Sequence, residues 1–173
     1  MTRIVCLGDS FTQGYLVEGK NYTRFLEKAG FLVRNLGVNG STTEEMLARY
    51  KRFEREERED ILVVFGGTND FLNGVSAEFA YKNLKSILDM SNVSKKILII
   101  PSYVEEESIF PVYEMTNDKI DFLYELFRED ITKKEDSYLI DARKIEGRFI
   151  DGIHLASDFH EKLKEEILRI IND

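Results

Sequence analysis

The chain of 173 residues contains one cysteine, two histidines and fewer positive than negative side chains, 24 Lys and Arg against 32 Asp and Glu. A net charge of −8 argues against a nucleic-acid partner, since phosphate neutralisation needs a basic excess. It also weakens a reading as a peripheral protein of anionic membranes. No apolar run approaches the roughly 20 residues needed to span a bilayer. The first residues, "MTRIVCLGDS", carry one positive side chain and a short apolar stretch that reads as a strand, so no signal peptide and no stable membrane insertion are expected. Cys6 has no partner for an internal disulfide and is expected to be a small buried hydrophobe. A cytoplasmic location fits that cysteine usage. Low-complexity segments, internal repeats and Pro/Ser-rich linkers are also missing, which predicts a single domain over residues 1–173.

What is present is an alternation of short apolar runs and longer amphipathic ones. "RIVCLGD" (3–9), "FLVRNLG" (31–37), "DILVVFGG" (60–67), "KILIIPS" (96–102) and "SYLIDA" (137–142) read as strands. Near-continuous Ile, Leu and Val in three of them mark strands covered on both faces. Helices are predicted over 20–29, 42–57, 76–90, 117–134 and 158–171. Thr42 and Glu45 stand in capping-box spacing, and Ser76 is a natural N-cap. Strand and helix in regular alternation imply an α/β fold with a parallel sheet and helices on both of its faces. In such folds reactive groups gather outside the carboxyl ends of the strands. The segments there are Gly8-Asp9-Ser10, "NLGVNGST" (35–42), "GGTND" (66–70) and "DGIHL" (151–155).

A serine hydroxyl is a weak nucleophile until a base takes its proton. His154 is the candidate base, and Asp151, three residues before it, is spaced to fix its tautomer and stabilise the imidazolium. Acyl transfer also needs donors aimed at a developing oxyanion. Candidates are the Ser10 backbone N–H, a glycine after the second strand, best Gly40, and the Asn69 side-chain amide. Taken singly, each has a plainer reading. Ser10 is a turn or helix-cap residue, Asn69-Asp70 a strand-end turn, and Gly37 and Gly40 places of left-handed backbone. His160 reads as structural, and Asp9 as a partner of loop amides. The charge run 51–60 reads as a solvated helix end and strand entry.

Taken together, the four blocks "GDSFTQG", "NLGVNGST", "GGTND" and "DGIHL" resemble, in order and across the chain, those of the SGNH hydrolase superfamily, the GDSL lipase/esterase family. The resemblance implies a flavodoxin-like, three-layer α/β/α sandwich with a five-stranded parallel sheet. It implies ester hydrolysis by Ser10, Asp151 and His154, with Ser10, Gly40 and Asn69 as the oxyanion hole and with no metal or organic cofactor. Phe11 stands where the family's name has leucine, and Leu155 where many members have proline. The expected partner is a small acyl ester. The favoured substrate is that of a lysophospholipase- or thioesterase-like acyl hydrolase, with a carbohydrate O-acetylesterase as the alternative. A flavodoxin-like phosphate- or flavin-binding module is the rival from another class. A homo-oligomer is left open. Residues 101–115, rich in Tyr, Val, Ile and Phe, are expected at the reactive edge as a pocket wall, a lid or a packing loop.

Overall fold

The computed structural model describes residues 1–53, 59–109 and 115–173. In chain order the elements are β1 (Arg3–Gly8), α1 (Ser10–Gln13), α2 (Tyr22–Lys28), β2 (Leu32–Gly37), α3 (Thr43–Phe53), β3 (Ile61–Phe65) and α4 (Thr68–Leu72). They continue with α5 (Ala77–Met90), β4 (Lys95–Ile100), α6 (Glu106–Ile109), α7 (Thr116–Ile131), β5 (Ser137–Asp141), a 3₁₀ turn (Ala142–Lys144) and α8 (Ser157–Asn172). The five strands are all parallel and lie in the order β2-β1-β3-β4-β5. All five expected strands and the longer helices are present. The short helices α1, α4 and α6 are additional. At four or five residues they are too brief for apolar periodicity to reveal.

The alternation of strand side chains builds the layers. Val5, Leu7, Leu62, Val64, Leu98 and Ile100 meet Met46 and Tyr50 of α3, Leu84 and Ile87 of α5, and Leu123 and Phe127 of α7. Ile4, Cys6, Ile61, Val63, Ile97 and Ile99 meet Tyr22 and Leu26 of α2, and Phe159, Leu163 and Ile167 of α8. Right-handed crossovers explain the division, because the chain moves outward from β1 to β2 and then reverses past β1 to β3. Cys6 is buried and free, and burial pushes its thiol pKa up.

Phe159 anchors the second layer. It is fully buried, and its ring lies 6.5 Å from Phe65 and 6.3 Å from Phe11. Phe159→Ala is therefore expected to cost about 3–5 kcal/mol of stability. The check is a lower urea midpoint with an unchanged denaturant slope.

The capping box of α3 forms as its spacing predicts. Thr42 N donates to Glu45 Oε2 at 2.9 Å, and Glu45 N to Thr42 Oγ1 at 3.4 Å. Ser76 caps α5 by accepting from Phe79 N. The helix expected to run to residue 57 is described to Phe53, and 54–57 lie outside the described residues.

For the site, the register matters most. Gly8 pairs with Gly37 on one side and Phe65 on the other. The carboxyl ends of β1, β2 and β3 are therefore level, and the loops that follow them emerge side by side where the sheet order reverses.

Candidate active site

β1 ends at Gly8, and Asp9 caps the single turn α1 by accepting from Phe11 N at 3.0 Å. Gln13 N and Gly14 N close that turn onto the carbonyls of Asp9 and Ser10. Asp9, not Ser10, is thus the cap residue, and Ser10 is the first residue of the turn. Its Oγ lies 2.8 Å from His154 Nε2. His154 Nδ1 lies 2.7 Å from Asp151 Oδ2. The other Asp151 oxygen accepts from His154 N at 2.7 Å and Ile153 N at 3.0 Å. A hydroxyl near the start of the chain and an imidazole near its end therefore meet, although 144 positions separate them.

These contacts select the tautomer of the neutral imidazole. An ionised carboxylate only accepts, so Nδ1 carries the hydrogen and Nε2 is left to accept from the serine hydroxyl. Burial alone would raise the Asp151 carboxyl. The His154 and Ile153 N–H groups and the imidazole outweigh it and hold it below the usual carboxylate range. The imidazole is flanked by Phe11, ring centroids 5.3 Å apart, and by the edge-on ring of half-exposed Tyr15 at 4.9 Å. Ser10 itself is only 6% exposed.

The loop after β2 lies against the turn α1 that carries Ser10. A Cβ on Gly37 would stand 2.2 Å from Gln13 N, so this glycine permits close approach. It does not serve a left-handed backbone, which corrects one sequence expectation. Gly40 does have positive φ, +74°. Asn39 N, just before it, donates to Gln13 Oε1 at 2.6 Å. Gln13 is a contact the sequence analysis missed, since a polar residue on a four-residue helix carries no pattern.

Asn69 lies in the first turn of α4. Its Nδ2 donates to Ser41 O at 3.1 Å and to Asp9 Oδ2 at 3.4 Å. The amide thus spans the segments that hold Ser10 and Gly40. The neighbouring Asp70, fully buried, accepts from Thr43 N at 2.9 Å and Thr43 Oγ1 at 2.6 Å. That pair fixes the start of α4 against the start of α3.

Burial pushes the Asp9 carboxyl up to about 7, against the opposing pull of the Phe11 N–H, and Asp70 nearby adds to the rise. The folded state then holds this proton above pH 4, where the unfolded chain releases it. The stabilisation from Asp9 is fully present below the ordinary carboxylate pKa and is lost as pH rises to about 7. The stability difference between the native protein and Asp9→Asn should accordingly change between pH 4 and 7 and level off above. Urea midpoints across that range are the check.

His160 stands apart from the Ser10–His154–Asp151 chain. It is buried, accepts from Tyr22 N through Nδ1 at 3.4 Å and stacks on the Tyr22 ring. Burial lowers its pKa to about 4, with His154 adding to the effect, so at neutral pH it is an uncharged packing residue. Among the described residues no three His, Cys, Asp or Glu side chains converge as metal ligands would.

The front of the 101–115 stretch is tied down. Glu105 N donates to Gly152 O at 2.7 Å, inside the Asp151–His154 loop. Val104 exchanges two hydrogen bonds with the Asn117 side chain. Residues 110–114 of that stretch, Phe110, Val112 and Tyr113 among them, lie outside the described residues. No helix among the described residues is long and apolar enough to cross a membrane.

A model of the GDSL-like lipase/acylhydrolase family matches residues 6–162. Among solved structures, a member of the lipolytic protein G-D-S-L family from Veillonella parvula superposes with a TM-score of 0.86 at 18% identity, over 99% of both chains. A carbohydrate acetylesterase family member from Sinorhizobium meliloti gives 0.81 at 17% identity, over 99% of this chain and 97% of that one. A GDSL-like lipase from Bacteroides thetaiotaomicron gives 0.82 at 18%, over 99% and 88%. Comparison with curated proteins finds no match. At these identities the structural likenesses establish the fold, the five-stranded α/β sandwich described above.

Proposed function

This chain belongs to the GDSL-like lipase/acylhydrolase family, a family of hydrolases, and on that premise we propose that it cleaves carboxylic esters or thioesters through Ser10, His154 and Asp151. The observation that carries the reading is the continuous hydrogen-bonded line from Ser10 Oγ to His154 at 2.8 Å and on to Asp151 at 2.7 Å. Ser10 Oγ attacks the acyl carbonyl as its proton passes to His154 Nε2. The carbonyl oxygen takes up the electron pair and is held by the N–H groups of Ser10 and Gly40 and by the Asn69 amide. Collapse breaks the bond to the leaving alcohol or thiol, which receives the proton from His154. Water then repeats the sequence on the acyl-enzyme. Asp151 orients the imidazole and stabilises its charged form.

The substrate we favour is a short- to medium-chain acyl ester or thioester, of the lysophospholipase or thioesterase type. The described start of the 101–115 stretch supports it, since Tyr103 and buried Val104 lie next to Glu105, whose N–H meets Gly152 O in the Asp151–His154 loop. The test is labelling with a fluorophosphonate followed by peptide mapping, then a chain-length series of p-nitrophenyl esters. Label on Ser10 and turnover extending beyond acetate are expected. Absence of label on Ser10 overturns the serine mechanism. A sharp preference for acetate would replace the lipid-like reading with that of an acetylesterase.

A further inference from the structure

Arg49, on α3, points its guanidinium into the space between the ends of β1 and β2 and the loop that follows β2. Nη2 donates to Gly8 O at 2.9 Å and to Ser41 Oγ at 3.1 Å. Nε donates to Leu36 O at 3.0 Å, and Nη1 reaches Glu45 O of its own helix at 3.5 Å. Gly8 is two residues before Ser10. Leu36 is the next-to-last residue of β2, just before the loop that leads to Gly40, and Ser41 directly follows Gly40. Ser41 is itself buried and held on every side. Its N–H donates to Val38 O, its hydroxyl to Thr42 O, and its carbonyl accepts from the Asn69 amide.

We infer that Arg49 is a positioning residue for the oxyanion hole, locking the strand end that carries Ser10 to the loop that carries Gly40 and, through Ser41, to the Asn69 amide. The inference rests on the roles given above to Ser10, Gly40 and Asn69. A planar cation with a fork of fixed donors suits the task, because three acceptors on three segments must be met at once. Arg49 touches no reacting atom. Its effect is on the separation of donors that must all reach one oxygen, and an error of about 1 Å there costs on the order of 10²-fold in rate.

The test compares the native protein, Ser10→Ala, Arg49→Met and Arg49→Lys on p-nitrophenyl acetate. Inhibition by an aryl trifluoromethyl ketone, whose serine adduct places a charged oxygen in the hole, is measured alongside. Arg49→Met is expected to lower kcat by about 10- to 100-fold with KM little changed. The inhibition constant should weaken by a similar factor, and the acidic limb of the pH–rate profile should stay in place. Arg49→Lys should fall between, since an ammonium cannot fork to all three acceptors, and it decides the matter if Arg49→Met does not fold. Either variant, folded by circular dichroism, with kcat and inhibition constant within about twofold of native would overturn the inference. So would a loss of rate with unchanged inhibition. Undiminished hydrolysis by Ser10→Ala would instead sink the serine mechanism itself, and this inference with it.

Discussion

Replacement of Ser10 by alanine is expected to remove ester hydrolysis almost completely, with kcat lower by about 10⁶-fold, and His154→Ala should do nearly the same. The two losses should not multiply in the double variant, because hydroxyl and imidazole act as one device. Without Oγ there is no atom to form the acyl bond. Without Nε2, which lies 2.8 Å from that oxygen, the hydroxyl keeps its proton. Neither change should unfold the protein. The change at Ser10 removes a hydroxyl whose hydrogen bond is to His154, and His154 is held through its backbone and Asp151. Purified variants with native circular dichroism, assayed on p-nitrophenyl acetate, supply the check, and appreciable turnover by folded Ser10→Ala would refute the assignment. Asp151→Asn should be less severe than either, because the imidazole keeps its flanking rings while losing the charge that stabilises it.

The second large effect is expected at Asn69. Asn69→Ala should lower kcat by about 10²–10³-fold, the usual consequence of losing one oxyanion donor. KM should change little, since the donor matters most once charge has developed on the oxygen. In the structure the amide hydrogens are directed at Ser41 O, 3.1 Å away, and at Asp9 Oδ2, at the longer distance of 3.4 Å. The longer contact is the weaker one, and it is the one we expect to be shared or released as the oxyanion forms. Steady-state kinetics separate this from a binding effect. A raised KM with normal kcat would show that Asn69 holds substrate and does not stabilise the transition state.

The strands and their alternation with helices could be read from the sequence because buried strands such as Ile61–Phe65 need apolar residues throughout. The long helices could be read because Leu84 and Ile87, or Leu163 and Ile167, recur at helical spacing. The proposed acid, base and nucleophile stood out because Asp151 and His154 are three residues apart in one loop and Ser10 ends a strand. What stayed hidden has a common physical character. The turn α1 is too short to show a period. Asp9 reveals its buried position only once Asn69 and Asp70 fold over it. Arg49 sits between Met46, Tyr50 and Phe53 on a helix whose other residues are largely charged, so nothing in composition separates it from a solvated arginine. Gly37 has the same identity as a turn glycine, and its true reason, the nearness of Gln13, is a distance between segments.

The double use of the Asp151 carboxylate has a mechanical result. One of its oxygens grips the backbone amides of Ile153 and His154 while the other grips the ring. Carboxylate and imidazole are therefore tied to one another twice, and in the proposed mechanism the joint left to adjust is the one between Ser10 and His154. On that proposal, a shift of the 151–154 segment as a unit would change the Ser10–His154 distance while the imidazole keeps its carboxylate partner.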